Sequence, residues 1–329
     1  MPAEWEPHEA TWLAWPHEKT DWPGKFAPIP FLYGEIVRHL ARVERVRIVV
    51  ENADVESAAR KVLKKSHVNL NAVDFFPAAT DRSWLRDTCA IFVKNRQGEV
   101  AATDWEFNAW AKYPNYAYDN ALPAAIAKRY EMRRFASALV LEGGSIEVNG
   151  AGKMLTTEEC LLSDVQARNP GLGRRQLERA LADYLGVNDV IWLGRGIAGD
   201  DTHGHIDDLA RFTSIDTVAV ISEADKTSPN YEPLKENLGR LRARKDLRVV
   251  TLPCPEPVYF DNQLLPASYA NFYIANAIVL VPVFGDKNDR IALNTLARLF
   301  PDREVIGIPC RDLVLGKGTL HCMTQQQPA

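Results

Sequence analysis

Long apolar runs are missing from this sequence. No stretch approaches the ~20 consecutive apolar residues that cross a bilayer, so no membrane partner is expected. Residues 1–8 hold no basic region followed by an apolar run, which argues against a signal peptide and for a cytoplasmic protein. Cysteine is sparse. Cys89, Cys160, Cys254, Cys310 and Cys322 are scattered, odd in number and without CxxC spacing. Neither a disulfide framework nor a cysteine zinc site is indicated. A basic excess is also absent: 39 Lys and Arg stand against 43 Asp and Glu, a net charge of −4. Nucleic acid is therefore not an expected partner.

What is present is ordinary globular composition, 46% hydrophobic over 329 residues, enough for a large core. No low-complexity linker interrupts it, so residues 1–329 are read as a single domain. Prolines at 2, 7, 16, 23, 28 and 30 argue against a long helix at the start. That segment, with Trp5, Trp12, Trp15 and Trp22, is expected to wrap over a surface. Apolar spacing predicts helices over 31–45, 54–65 with Asp54 as N-cap, 122–130, 174–185, 231–244, 267–274 and 289–300. Strands are expected at 47–50, 69–76, 90–93, 138–141, 189–193, 218–222, 248–252, 278–283 and 304–308. Short apolar strands alternating with helices define an α/β protein. Self-similarity is too weak to establish internal repeats.

Four polar clusters fall at strand ends or glycine-rich turns, where sites tend to be built. In Trp84-Leu85-Arg86-Asp87 an aromatic precedes an Arg-Asp pair and an apolar strand follows. A carboxylate buried there needs a cation, either Arg86 or a ligand. Glu142-Gly143-Gly144 is a tight turn presenting a charge, or simply a solvated one. Asp200 to Asp208 holds two histidines and four aspartates. If extended, it points His203, His205 and Asp207 to one side, which suits a metal, and equally an acid/base histidine beside a carboxylate. The fourth cluster is Gly316-Lys317-Gly318-Thr319-Leu320-His321-Cys322. Its glycines let the backbone pass close to a ligand, and it delivers a cysteine to a cleft. Carboxylates raise a thiol's pKa, so this set suits a substrate that is itself a cation. A guanidinium fits best, because its fork of N–H donors matches carboxylates bidentately.

At these residues the chain resembles the agmatine deiminases, within the guanidine-modifying enzymes that include peptidylarginine and arginine deiminases. The matching segments run from Met1-Pro2-Ala3-Glu4-Trp5-Glu6-Pro7-His8 through Trp84-Leu85-Arg86-Asp87, Asp104 to Trp110, Glu142-Gly143-Gly144-Ser145 and Gly204-His205-Ile206-Asp207. Leu265 to Phe272, Val281 to Asp286 and His321 to Gln326 complete them. The resemblance implies a five-bladed α/β propeller, the pentein fold, with pseudo-fivefold symmetry and no cofactor or metal. It implies Cys322 as nucleophile, Asp87 and Asp207 as grips on the guanidinium, His205 as acid and base, and Glu142 as its orienting partner. Trp84 is expected along the substrate's methylene stem. Gly318 lets the backbone approach the ligand, and Trp110 and Asp119 are candidates for a distal ammonium. The expected substrate is a small guanidino cation, agmatine first, with peptidylarginine and free arginine as alternatives. A non-catalytic propeller binding protein and a metal hydrolase using His203, His205 and Asp207 are the readings from other classes. A homo-oligomer is compatible with the sequence and not specified by it. The chain departs from the family at Lys317, where glycine is usual. That lysine either lowers the thiol pKa or points to solvent.

Overall fold

The structure, a computed structural model, describes all 329 residues. Its sheets repeat one pattern. The first is built on β1 (His8–Ala14), β2 (Arg45–Val50) and β3 (Val73–Pro77), parallel to one another, with helices α1 (Ile29–Leu40) and α2 (Ala53–Lys65) as crossovers. The second pairs β4 (Ile91–Lys94) antiparallel with β5 (Val100–Glu106), then β5 parallel with β6 (Arg133–Val140). The one-turn helix α3 (Leu85–Thr88) precedes β4, and α4 (Ala117–Arg129) makes the crossover.

The third sheet repeats this with β7 (Glu147–Val148), β8 (Lys153–Thr157) and β9 (Asp189–Leu193), joined through α5 (Glu158–Leu162) and α6 (Arg174–Leu185). The fourth uses β10 (Ala210–Phe212), β11 (Thr217–Ser222), α7 (Tyr231–Arg242) and β12 (Arg248–Pro253). A two-stranded hairpin, β13 (Tyr259–Phe260) and β14 (Gln263–Leu264), stands outside the pattern. The fifth sheet has β15 (Tyr273–Ile274), β16 (Ile278–Val283), α8 (Asp289–Leu299) and β17 (Glu304–Pro309). After the short helix α9 (Leu320–Met323), β18 (Gln325–Pro328) returns to pair antiparallel with β1. The last strand thus gives the first sheet the antiparallel partner that the other four take from within their own units.

The parallel pairs follow from sequence. A βαβ crossover covers the sheet, so β11 and β16 are nearly continuous apolar runs. In α6, Leu177, Leu181 and Leu185 recur at i, i+4 and are buried, and Gly186 stops the helix in the left-handed conformation. Burying those three leucines contributes roughly 5–9 kcal/mol before the entropy of ordering them.

Several expectations are corrected. The opening segment does not simply wrap a surface. Its β1 lies inside a four-stranded sheet, and Trp12 and Trp22 are wholly buried. Proline excludes helix but not a seven-residue strand placed between Pro7 and Pro16. The residues 267–274 are not helical. They form a turn that leads into β15, because Ser268 and Asn271 side chains bond nearby groups and compete with a helix. The cap of α2 is Asn52, whose side chain accepts from Asp54 N and Val55 N. Helix α4 starts five residues before 122 and carries Pro123 within it.

Candidate functional site

The strands β4, β7, β10, β15 and β18 each follow a short turn, and each turn carries a polar side chain toward one place. Asp87 rides on α3 and Cys322 on α9. Glu142 opens the turn Gly143–Ser145, and His205 opens the turn Ile206–Asp208 that holds Asp207. Asn271 stands just before β15.

These groups interlock. Asn271 Nδ2 donates to Cys322 Sγ at 3.1 Å, and Asp207 Oδ2 lies 3.6 Å from the same sulfur. Asp207 Oδ2 is also 2.7 Å from His321 Nδ1, while Asp207 Oδ1 has no partner. Asp87 accepts from Gly144 N through Oδ1 and from Trp110 Nε1 through Oδ2, both at 2.9 Å. His205 lies between two carboxylates, with Nδ1 3.9 Å from Asp87 Oδ1 and Nε2 3.6 Å from Glu142 Oε2. Arg168 Nε donates to Glu142 Oε1 at 2.8 Å, leaving Oε2 without a partner. Gly144 is required by this closeness: a Cβ there would meet His205 Nδ1 at 2.5 Å and Asp87 Oδ1 at 2.8 Å.

Burial sets the electrostatics. It pushes the Cys322 thiol well above its ordinary range, and Asp207, Asp208 and Asp87 push it further. Burial also lifts Asp87 to about 6, against the pull of His205. On Glu142 burial is outweighed by Arg168 and His205, which hold the carboxyl at about 2. On His205 burial disfavours the cation, yet Asp87 and contacts with Cys160 and Glu142 raise it well above 6.5. The site therefore sets a thiol whose pKa is raised beside a histidine whose pKa is raised, among carboxylates.

A cavity of about 450 Å³ opens over Cys322. Trp84, Asp87, Trp110 and Gly318 line it with Cys322, as does Lys317. A Cβ at Gly318 would press on Trp84 and on Cys322 Cβ. Lys317 pairs with Asp201 at 3.0 Å. Asp119 is elsewhere: it is buried in α4 and accepts from Asp81 N at 2.9 Å. Arg86 does not pair with Asp87 but with Glu4, at 3.1 Å. The grouping of His203 with His205 and Asp207 does not form. The segment bends rather than extends, His203 has φ 64°, and its Nε2 faces Ser163 Oγ at 3.2 Å. Asn271 and Arg168 were not singled out in the sequence. Asn271 lay within a matching segment, while Arg168 carried no local signal.

Fold and site together define a class: a mixed α/β protein whose repeated sheets deliver a cysteine, a histidine and several carboxylates to one buried cluster, from which Asp87 and Cys322 reach the cavity. The chain belongs to the Porphyromonas-type peptidyl-arginine deiminase family, whose model matches residues 1–328. It is 34% identical to the agmatine deiminase of Pseudomonas aeruginosa (strain LESB58), over 100% of this chain and 95% of that one. Among solved structures it is similar to a substrate-bound C. jejuni agmatine deiminase, with TM-score 0.91, 33% identity, and 99% and 95% of the two chains covered. The agmatine deiminase of Enterococcus faecalis aligns with TM-score 0.92 and 32% identity over 100% and 95% of the two chains.

Proposed function

We propose that this protein hydrolyses agmatine to N-carbamoylputrescine and ammonia, with residues 1–329 acting as one catalytic unit. The observation that carries the reading is the thiol of Cys322 set among carboxylates, of which Asp207 Oδ1 and Glu142 Oε2 are buried without a donor. A guanidinium supplies those donors and neutralises the charge that disfavours the thiolate.

In this reading the five sheets are the blades of a propeller, and their five turns gather the site at its mouth. Asp87 and Asp207 hold guanidinium N–H groups. Binding of the cation expels the thiol proton to solvent, and the electron pair it leaves on Cys322 Sγ bonds to the guanidinium carbon. The carbon–nitrogen bond then breaks, its electron pair leaves with nitrogen, and His205 protonates it as ammonia. Water, deprotonated by His205, attacks the amidino-thioether carbon. The carbon–sulfur bond breaks with its electron pair returning to Sγ, the hydroxyl proton passes to solvent as the carbonyl forms, and the ureido product departs. Glu142 orients His205. Trp84 and Trp110 flank the substrate, and Gly318 permits the close approach of the loop.

The test is ammonia and ureido product released from agmatine, free arginine and a blocked arginyl peptide, with and without chelator. Chelator-insensitive turnover of agmatine alone, lost in Cys322→Ala with folding retained, is the expected result. Turnover of the peptide instead would keep the chemistry and replace the substrate. Appreciable turnover by Cys322→Ala would end the thiol mechanism.

A further inference from the structure

His205 does not meet the neighbours expected of a metal cluster in the sequence, but it meets others. One donor atom from each of Glu142, Cys160 and His205 lies within 4.8 Å of the other two. All three residues are at most 1% exposed. Glu142 Oε2 and His205 Nε2 are 3.6 Å apart, and neither has a hydrogen-bond partner. With bonds of ~2.0–2.3 Å, donors around a tetrahedral zinc ion stand ~3.3–3.7 Å apart. The oxygen and nitrogen already have that separation, and the sulfur needs a shift of at most about an ångström.

We propose that Glu142, Cys160 and His205 form an inhibitory site for a thiophilic divalent cation of the zinc type. Thiolate, imidazole and carboxylate are the donors such a cation takes. Cys160 is delivered by α5, where Thr157 Oγ1 accepts from its backbone N at 3.0 Å, and it takes no part in the proposed reaction. Arg168 stays on Glu142 Oε1 and fixes the carboxylate with Oε2 toward the ion, as outer-shell partners of metal ligands do. Asp87 lines the cavity and adjoins His205, which puts the site one side chain behind that cavity. Once bound on Nε2, the ion keeps the ring from becoming the imidazolium that would protonate the leaving ammonia from Nδ1, the nitrogen on the Asp87 side. The inhibition rests on the role proposed above for His205, whereas the binding does not.

The test is titration of metal-free wild type, Cys160→Ala, Cys160→Ser and Cys322→Ala with cobalt(II), followed by zinc competition. The expected result is a thiolate-to-cobalt absorption band in wild type and Cys322→Ala, displaced by zinc and missing from both Cys160 variants. In parallel, the Cys160 variants keep agmatine turnover and need at least ~10-fold more zinc for half-inhibition. A band lost in Cys322→Ala but kept in the Cys160 variants would place the ion on the nucleophile and overturn the proposal. So would zinc inhibition undiminished in both Cys160 variants. If agmatine is not a substrate, the cobalt band alone decides.

Discussion

Asn271 shows what a neutral side chain does at a charged site. Its Oδ1 accepts from Thr319 Oγ1 at 2.7 Å and from His321 N at 3.0 Å, so the amide is locked in orientation. Its Nδ2 is then fixed on Cys322 Sγ at 3.1 Å and on Asp208 Oδ1 at 3.1 Å. Beside the Thr319 backbone N–H, which lowers the thiol against three carboxylates that raise it, this amide is the side-chain donor on the sulfur. A hydrogen bond to a charged group contributes ~1.5–3 kcal/mol, a factor of ~10–160 in rate. Asn271→Ala should therefore lower kcat for agmatine by roughly that factor, and Asn271→Asp by more, since it adds a fourth negative charge near the sulfur. Steady-state kinetics with thiol alkylation rates check this, and an unchanged alkylation rate in both variants would remove Asn271 from the account. The clusters that hold Asp87, Glu142, His205, Asp207 and Cys322 were legible because ionisable side chains beside glycine or at strand ends are conspicuous, and the resemblance to the agmatine deiminases singled those five out of them. An amide in an apolar stretch is not, and Arg168, set in a loop far from any other cluster, is not either.

At the scale of elements, legibility followed how local each cause is. The strand Ile278–Val283 and the helix Arg174–Leu185 were read with their correct bounds, since apolar run and leucine spacing act within one segment. The strand Gln325–Pro328 was invisible, because three glutamines form a strand only through partners on β1. Helix α4 lost its first turn in the reading for a similar reason. Asp119 there faces inward, where its Oδ1 accepts from the backbone of Asp81 and Arg82 and its Oδ2 finds no donor. Burial raises this carboxyl from 3.8 to about 8, although the backbone N–H groups pull the other way. The folded state therefore holds a proton that the unfolded chain releases near 3.8. Stability from this group is largest at low pH and falls as pH rises toward about 8. Asp119→Asn should flatten that decline, seen as melting temperature against pH between about 4 and about 8. A slope unaltered by the substitution would show that Asp119 is ionised in the fold.

At the scale of the molecule, one carboxylate near the start of the chain ties the units together. Glu4 Oε1 accepts from Arg211 Nη2 on β10 and from Ile274 N on β15, each at 2.8 Å. Its Oε2 accepts from Arg86 Nη2 at 3.1 Å and lies 2.9 Å from His321 Nε2. Arg211 continues to Glu147 on β7 at 2.8 Å, so strands of three sheets meet in this one network with α3 and α9, the short helices that precede β4 and β18. Arg86, His321 and Arg211 are sequence neighbours of Asp87, Cys322 and the 205–208 turn, which makes the network the underside of the site. Burial disfavours the charge on Glu4, but Arg211, His321 and Arg86 hold its carboxyl well below 4.5. Removing one partner from such a network leaves the others uncompensated, at a cost of ~3–5 kcal/mol. Glu4→Gln should lower the melting temperature at neutral pH and reduce kcat, because His321 no longer steadies Asp207 against Cys322. A depressed carboxyl contributes stability above its unfolded pKa and loses it as pH falls through the folded value. The gap between wild type and Glu4→Gln should therefore narrow as pH drops below 4.5. Equal melting temperatures at neutral pH would show that the arginines find other partners, and a gap constant with pH would assign the loss to packing rather than charge.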